Sequence, residues 1–497
     1  MTLPSPLPRV IQGGIEEIPL VTSGNVRARR QRDGSGVRSD RDSRSSVARM
    51  VIGMTTAITQ STPHRVTSMP AGVTGGAVSP ATSSIRLAGE HFAAATLYLL
   101  AGSVGLVWIA PELAAGNYLS PHVAGVTHLF TLGWLTMTIF GALYQLLPVA
   151  LGAPIRWRTM GHASFWTFAP GAGLFACGVA DNSTMLHHVG VGLVAIGVIL
   201  TVTNVAATLP RARSRDVTWA AVAIAITYLS STLVLGIVLL HNIHTGFIAA
   251  ARVHVLATHL HIAIVGWALV MIIGVAHRLL PMFLLAHGAD APWTKRAIVL
   301  LSCGVPLLAL GVNAQMPAAS WTAVALMEAG LACFIYQAAS FFRARVRKRI
   351  DVGMRFAAAG VAFLVLAALL GPVVLWRGQS ATRLATTYVL LGLLGGIVVF
   401  VSGFFYKIVP LLAWTARYGG TRRNETPPTV AQLFSARVAQ IQLGLMVTAL
   451  VALSGAILIG SAPGAYTGAG LFLVGVLLFV SQIGRVALGA PRGGTAS

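Results

Sequence analysis

The octet Gly141-Ala-Leu-Tyr-Gln-Leu-Leu-Pro148 returns twice in altered form, as Gly274-Val-Ala-His-Arg-Leu-Leu-Pro281 and as Gly403-Phe-Phe-Tyr-Lys-Ile-Val-Pro410. The spacings are 133 and 129 residues. Read backward from the octets, Gly133-Trp134 aligns with Gly266-Trp267 and Gly395-Gly396, and His128 aligns with His261 and Leu390. Each octet closes a long apolar stretch. Three matches at near-equal spacing mark an internal repeat of about 130 residues, long enough to hold four membrane-crossing helices.

The rest of the chain fits that unit. Of its 497 residues, 55% are hydrophobic and only 10% are charged, with a mean hydropathy of +0.76. This excludes an ordinary soluble domain, in which roughly a quarter of residues are charged. Twelve apolar stretches are long enough to cross a bilayer. They lie near 91–110, 122–151, 162–181, 185–209, 217–241, 252–284, 294–313, 317–342, 353–375, 384–414, 433–460 and 464–484. No strand-like alternation interrupts them, so they read as helices. The expected fold is all-α: a polytopic membrane protein with a pseudo-threefold bundle of three four-helix units, at about 88–215, 216–350 and 351–487. In each octet the Pro is expected to end the helix, and the ring before it (Tyr144, His277, Tyr406) to sit at the membrane interface.

The net charge of +22 suggests a nucleic-acid binder until its distribution is read. Basic residues crowd the even-numbered connections: Arg156 and Arg158; Arg211, Arg213 and Arg215; Lys295 and Arg296; the run from Arg343 to Arg349; Arg417, Arg422 and Arg423. The odd-numbered connections hold only Arg252, Arg377 and Arg383. By the positive-inside rule both termini face the cytoplasm of a cell (inner or plasma) membrane, and the expected partner is a lipid bilayer, not nucleic acid. Residues 1–87, with 11 Arg and little apolar sequence, read as a disordered basic tail, with Met50, Met54 and Met69 as alternative starts. Residues 488–497 form a short C-terminal tail. Cys177, Cys303 and Cys333 stand alone in apolar segments and read as small core residues.

On this topology nine of the fourteen histidines fall toward the outer side. Polar groups in a membrane are costly and mark function, and neutral imidazole is a common haem and copper ligand. The sixth segment carries His254, His259 and His261. His254 and His261 share a helix face, whereas His259 points elsewhere, so one metal does not take both His259 and His261 from an ideal helix. His128 and His261 occupy matching repeat positions. From facing helices they are placed to flank one haem as axial ligands. Metal-ligand candidates on the sixth segment are His254, His259 and His261. Glu328, mid-helix in the eighth segment, is a proton-relay candidate.

These residues resemble a known family. Twelve helices, both termini inside, threefold repetition and marked second, sixth and tenth helices look like subunit I of the haem-copper oxidases and nitric oxide reductases. The stretches from His128 through Gly133-Trp134 to Pro148, and from Thr258 through His261 to Trp267, are similar to the His-x4-Gly-Trp pattern of the C-type branch. The resemblance spans about 88–487. It implies haem on His128 and copper on His254 or His261, and a role in respiratory electron transfer or in nitric oxide or oxygen handling beside a redox partner subunit or electron donor. The family also places haem ligands on helix 10 and copper ligands on helix 7. Residues 384–414 and 294–313 contain no His. The expectation is therefore a haem- and/or copper-binding relative without a complete oxygen-reducing centre. The alternative is a cofactor-free transporter or assembly scaffold on the same fold.

Overall fold

The computed structural model describes residues 80–248, 252–286, 291–346, 349–419 and 427–489. Residues 1–79 of the basic tail, its alternative starts, His64 and His287 lie outside them, whereas residues 80–87, expected in the disordered tail, are already helical and continue into the first crossing helix. Among the described residues there are helices and connections but no strands. Twelve helices are long and apolar enough to cross a membrane. They are α1 (Ile85–Trp108), α2 (Pro121–Ala150), α3 (Arg158–Ala180), α4 (Thr184–Arg211), α5 (Val217–Ile243), α6 (Arg252–Leu284), α7 (Pro292–Asn313), α8 (Pro317–Arg343), α9 (Val352–Arg377), α10 (Thr382–Tyr418), α11 (Ala436–Ile459) and α12 (Ala462–Leu488). The chain is a multi-pass all-α protein built for a bilayer. A hydrocarbon surround leaves the backbone no partner but itself, which is why apolarity alone selects helix here.

Several starts are capped by side chains. Ser183 accepts from the Leu186 amide, Asp216 from Thr218 and Trp219, Asp351 from Met354, and Ser435 from Val438. The α3–α4, α7–α8 and α11–α12 pairs are tightly packed antiparallel hairpins, and α12 also packs on α1.

The repeat spacing recurs in backbone geometry. Each of α2, α6 and α10 changes from α to π winding for eight residues: Leu129–Thr136, Ile262–Leu269 and Leu391–Val398. These starts are 133 and 129 residues apart, as the octets are. The residue after each segment donates five residues back, Met137 to Leu132, Val270 to Val265 and Val399 to Leu394. A π winding is rare and appears mostly as single-turn bulges at functional sites, so three at one register are a property of the unit.

A glycine in each π segment lets an aromatic ring lie flat on the backbone. A Cβ at Gly133, Gly266 or Gly395 would stand 2.4, 2.6 or 2.7 Å from Cγ of Tyr98, Tyr228 or Phe363, on α1, α5 and α9. The first two rings then reach a third helix. Tyr98 Oη donates to the Ala169 carbonyl, and Tyr228 Oη donates to the Ser302 carbonyl at 2.6 Å. Phe363 has no hydroxyl for the equivalent bond.

Buried amides make a second recurring device. Asn204 on α4 accepts from the Trp157 amide at 3.1 Å and returns a bond to the Trp157 carbonyl at 2.8 Å. Gln337 on α8 accepts from Trp293 at 3.2 Å, and Gln482 on α12 accepts from Ser435 at 2.8 Å. Each ties the second helix of one of these hairpins to the start of the first.

The octet behaves differently from expectation in two respects. Pro148, Pro281 and Pro410 lie inside their helices, and α10 runs on to Tyr418. Proline's missing N–H only removes the donor for the carbonyl four residues upstream, which packing tolerates. That carbonyl belongs to Tyr144, His277 or Tyr406. Nor are the tyrosines interfacial anchors: Tyr144 and Tyr406 are each 1% exposed, and Tyr406 Oη donates to Gln442 Oε1 at 2.5 Å. The next octet residue has a role that spacing did not disclose. Arg278 pairs with Asp216, and Lys407 pairs with Asp351 at 2.6 Å, each aspartate being the cap of the preceding helix. The first unit has Gln145 there, its Oε1 buried without a partner among the described residues. The cysteines also depart from expectation. Cys177 and Cys303 are on the outward surface, where lipid accepts a small apolar thiol as readily as a core does.

Candidate functional site

The histidines that head the π segments are held by their own helices. His128 Nδ1 bonds the Ala124 carbonyl at 2.7 Å, and His261 Nδ1 bonds the Ala257 carbonyl at 2.8 Å. A carbonyl only accepts, so each Nδ1 carries the hydrogen and each neutral ring keeps its lone pair on Nε2. This is the tautomer a metal-binding imidazole adopts when its other nitrogen is tied to the main chain.

The two Nε2 atoms meet different surroundings. His261 Nε2 accepts from Tyr388 Oη on α10 at 3.0 Å, the two rings lying nearly parallel at 25°. His128 stands edge-on to Phe175 of α3, centroids 5.0 Å apart. Its Nε2 has no hydrogen-bond partner among the described residues.

His259 is two residues from His261, so its ring leaves the opposite side of α6. It faces α5, where its Cε1 would lie 3.3 Å from a Cβ on Gly236. It is close enough to His128 for the two imidazoles to interact electrostatically. His259 Nδ1 is buried with no partner among the described residues. His259 is thus within electrostatic reach of His128, while His261 turns toward α10.

Tyr388 lies in the repeat position of His259, 129 residues on, the one signal in the sequence that pointed to it. Glu328 on α8 is half-buried and within electrostatic reach of the Tyr388 hydroxyl. Tyr388 and His261 are joined by a hydrogen bond, and Glu328 acts on Tyr388 through its charge. His254, one face with His261 but nearer the start of α6, offers its carbonyl to Thr258 Oγ1 at 2.9 Å. Among the described residues no group of three or more His, Cys, Asp or Glu is close enough to hold a metal ion, so His254, His259 and His261 do not form a ligand triad.

Beyond the π segments, Trp267 Nε1 donates to Thr136 Oγ1 at 3.3 Å, joining α6 to α2. Trp134 is fully buried and stacks on Phe405 of α10, with centroids 4.6 Å apart. Three other histidines have local partners. His122 bonds Glu112 at 2.7 Å, His162 bonds Glu90 at 2.9 Å, and His188 bonds the Thr184 carbonyl at 2.6 Å.

No protein-family model matches the chain, and a comparison with curated proteins finds no match.

Proposed function

We propose that this chain is an integral membrane haem protein. Its scaffold is three four-helix units with both termini cytoplasmic, and it works in respiratory electron transfer or in nitric oxide or oxygen handling. The observation that carries the reading is the pairing of His128, its Nδ1 tied to the main chain, with a second imidazole within electrostatic reach on α6, His259, whose Nδ1 is buried without a partner among the described residues. A donor set of this kind fits haem iron, which takes one or two imidazoles. His128 would hold the iron, with His259 or His261 as the second ligand. Haem bound there supplies one-electron exchange or a seat for a diatomic molecule. Copper is supported less, because it wants about three imidazoles and no such group occurs among the described residues.

The protein's own residues set the terms of binding. The main-chain bonds at Ala124 and Ala257 fix ring orientation. Tyr388 competes for His261 Nε2. Glu328 lies within electrostatic reach of Tyr388 and is the acidic group proposed to exchange protons with the pair.

The deciding experiment is an absorption spectrum of the purified protein, oxidised and reduced, with iron and copper analysis. A Soret band with iron supports the reading. Its loss or shift in His128→Ala supports the ligand assignment, and His259→Ala and His261→Ala identify the second ligand. A protein free of haem and copper would instead be the transporter or assembly scaffold.

A further inference from the structure

On the octet side of Trp134 and Trp267, α2, α6 and α10, with Phe92 of α1, line a partly open cavity of about 70 Å³. It is lined by residues in equivalent positions of the three units. In one layer these are Ala142, Val275 and Phe404; in the next they are Leu143, Ala276 and Phe405. The void has a simple cause. Each layer contains one alanine, Ala142 or Ala276, whose single methyl group leaves space that its neighbours do not fill.

The wall is hydrocarbon apart from Thr138, which is 6% exposed and whose Oγ1 has no partner among the described residues. By volume the cavity has room for water, since roughly 10–15 Å³ suffices for one. A buried water, however, needs two to four polar partners, and this wall offers one hydroxyl. Apolar cavities of this kind stay dry and take apolar guests; an engineered one of about 150 Å³ holds benzene. A space less than half as large does not admit a ring. It suits a one- or two-atom guest.

We propose that the cavity between α2, α6 and α10 is a binding site for a small apolar gas of the dioxygen, nitric oxide or xenon class. The site consists of this chain's own side chains and does not depend on a haem.

Xenon is the probe. Crystals of the full chain are pressurised with xenon, and anomalous density is measured. A peak among Ala142, Ala276 and Phe404 is expected in the wild type and in Thr138→Val, because the hydroxyl is not needed. The peak should vanish in Ala276→Leu and in Ala142→Leu, whose added carbons occupy the space. If Ala276→Leu does not fold, Ala142→Leu decides. The proposal is overturned by a wild-type protein with no xenon in this cavity, by xenon persisting in a folded filled variant, or by ordered water or an acyl chain there before pressurisation. Since xenon density is read without any cofactor, an absent Soret band would sink the haem reading and leave this one standing.

Discussion

Replacing Tyr388 with Phe tests whether His261 is a haem ligand. In the wild type, iron reaches His261 Nε2 only by displacing the Tyr388 hydroxyl, bonded at 3.0 Å. A hydrogen bond of this kind contributes about 0.5–1.5 kcal/mol net. Removing one oxygen leaves the ring stacking in place and deletes only that competition. With tenfold in affinity corresponding to about 1.4 kcal/mol, haem should bind Tyr388→Phe about two- to twelvefold more tightly. The assay is a Soret-band titration of the haem-free protein with haem, run in parallel on Tyr388→Phe and on the double variant Tyr388→Phe/His261→Ala. The gain should vanish in the double variant. If Tyr388→Phe binds haem no better than the wild type, His261 Nε2 is not where iron goes, and His128 with His259 remains the pair.

Other consequences follow from the packing. Asn204→Leu removes both bonds to the Trp157 backbone, at about 1 kcal/mol each, whereas Gln482→Leu removes one. Equilibrium unfolding in mixed micelles should show Asn204→Leu as the costlier, and the reverse order would contradict the clamp. Gly133→Val forces a side chain into the Tyr98 ring, where a Cβ alone would stand 2.4 Å from Cγ. A loss of about 1–3 kcal/mol is expected on the same scale, and full stability would mean the ring does not lie on that backbone. Lys407→Met breaks the pair with Asp351, which is 43% exposed, and should cost at most about 1 kcal/mol, less at high salt. If Glu328 exchanges protons with the Tyr388–His261 pair, Glu328→Gln should change the pH dependence of the haem spectrum without changing haem content. An identical titration would remove Glu328 from that role.

Much of the fold is legible in single residues. An apolar run of about 20 residues has one stable form in hydrocarbon, so the twelve helices and their approximate positions, though not their ends, follow from composition along the chain. The octets also expose the repeat, because equivalent packing sites in successive units demand the same small or aromatic residue. His128 and His261 stand out because imidazole is costly at that depth and both occupy one repeat position.

Which face of a helix meets which neighbour is another matter. Turning the face requires a rotation, and rotation is not written in apolarity. Counting by 3.6 residues per turn fails across a π segment, where each turn takes up more residues and every later side chain moves around the axis. Three such segments lie in α2, α6 and α10. Tertiary structure alone therefore decides that His261 faces Tyr388 while His259 faces Gly236 of α5, and that Tyr144 and Tyr406 turn inward. The cavity belongs to the same class of fact. Ala142, Ala276 and Phe404 are ordinary residues in their own helices, and they enclose a space only when three helices from distant parts of the chain are set side by side.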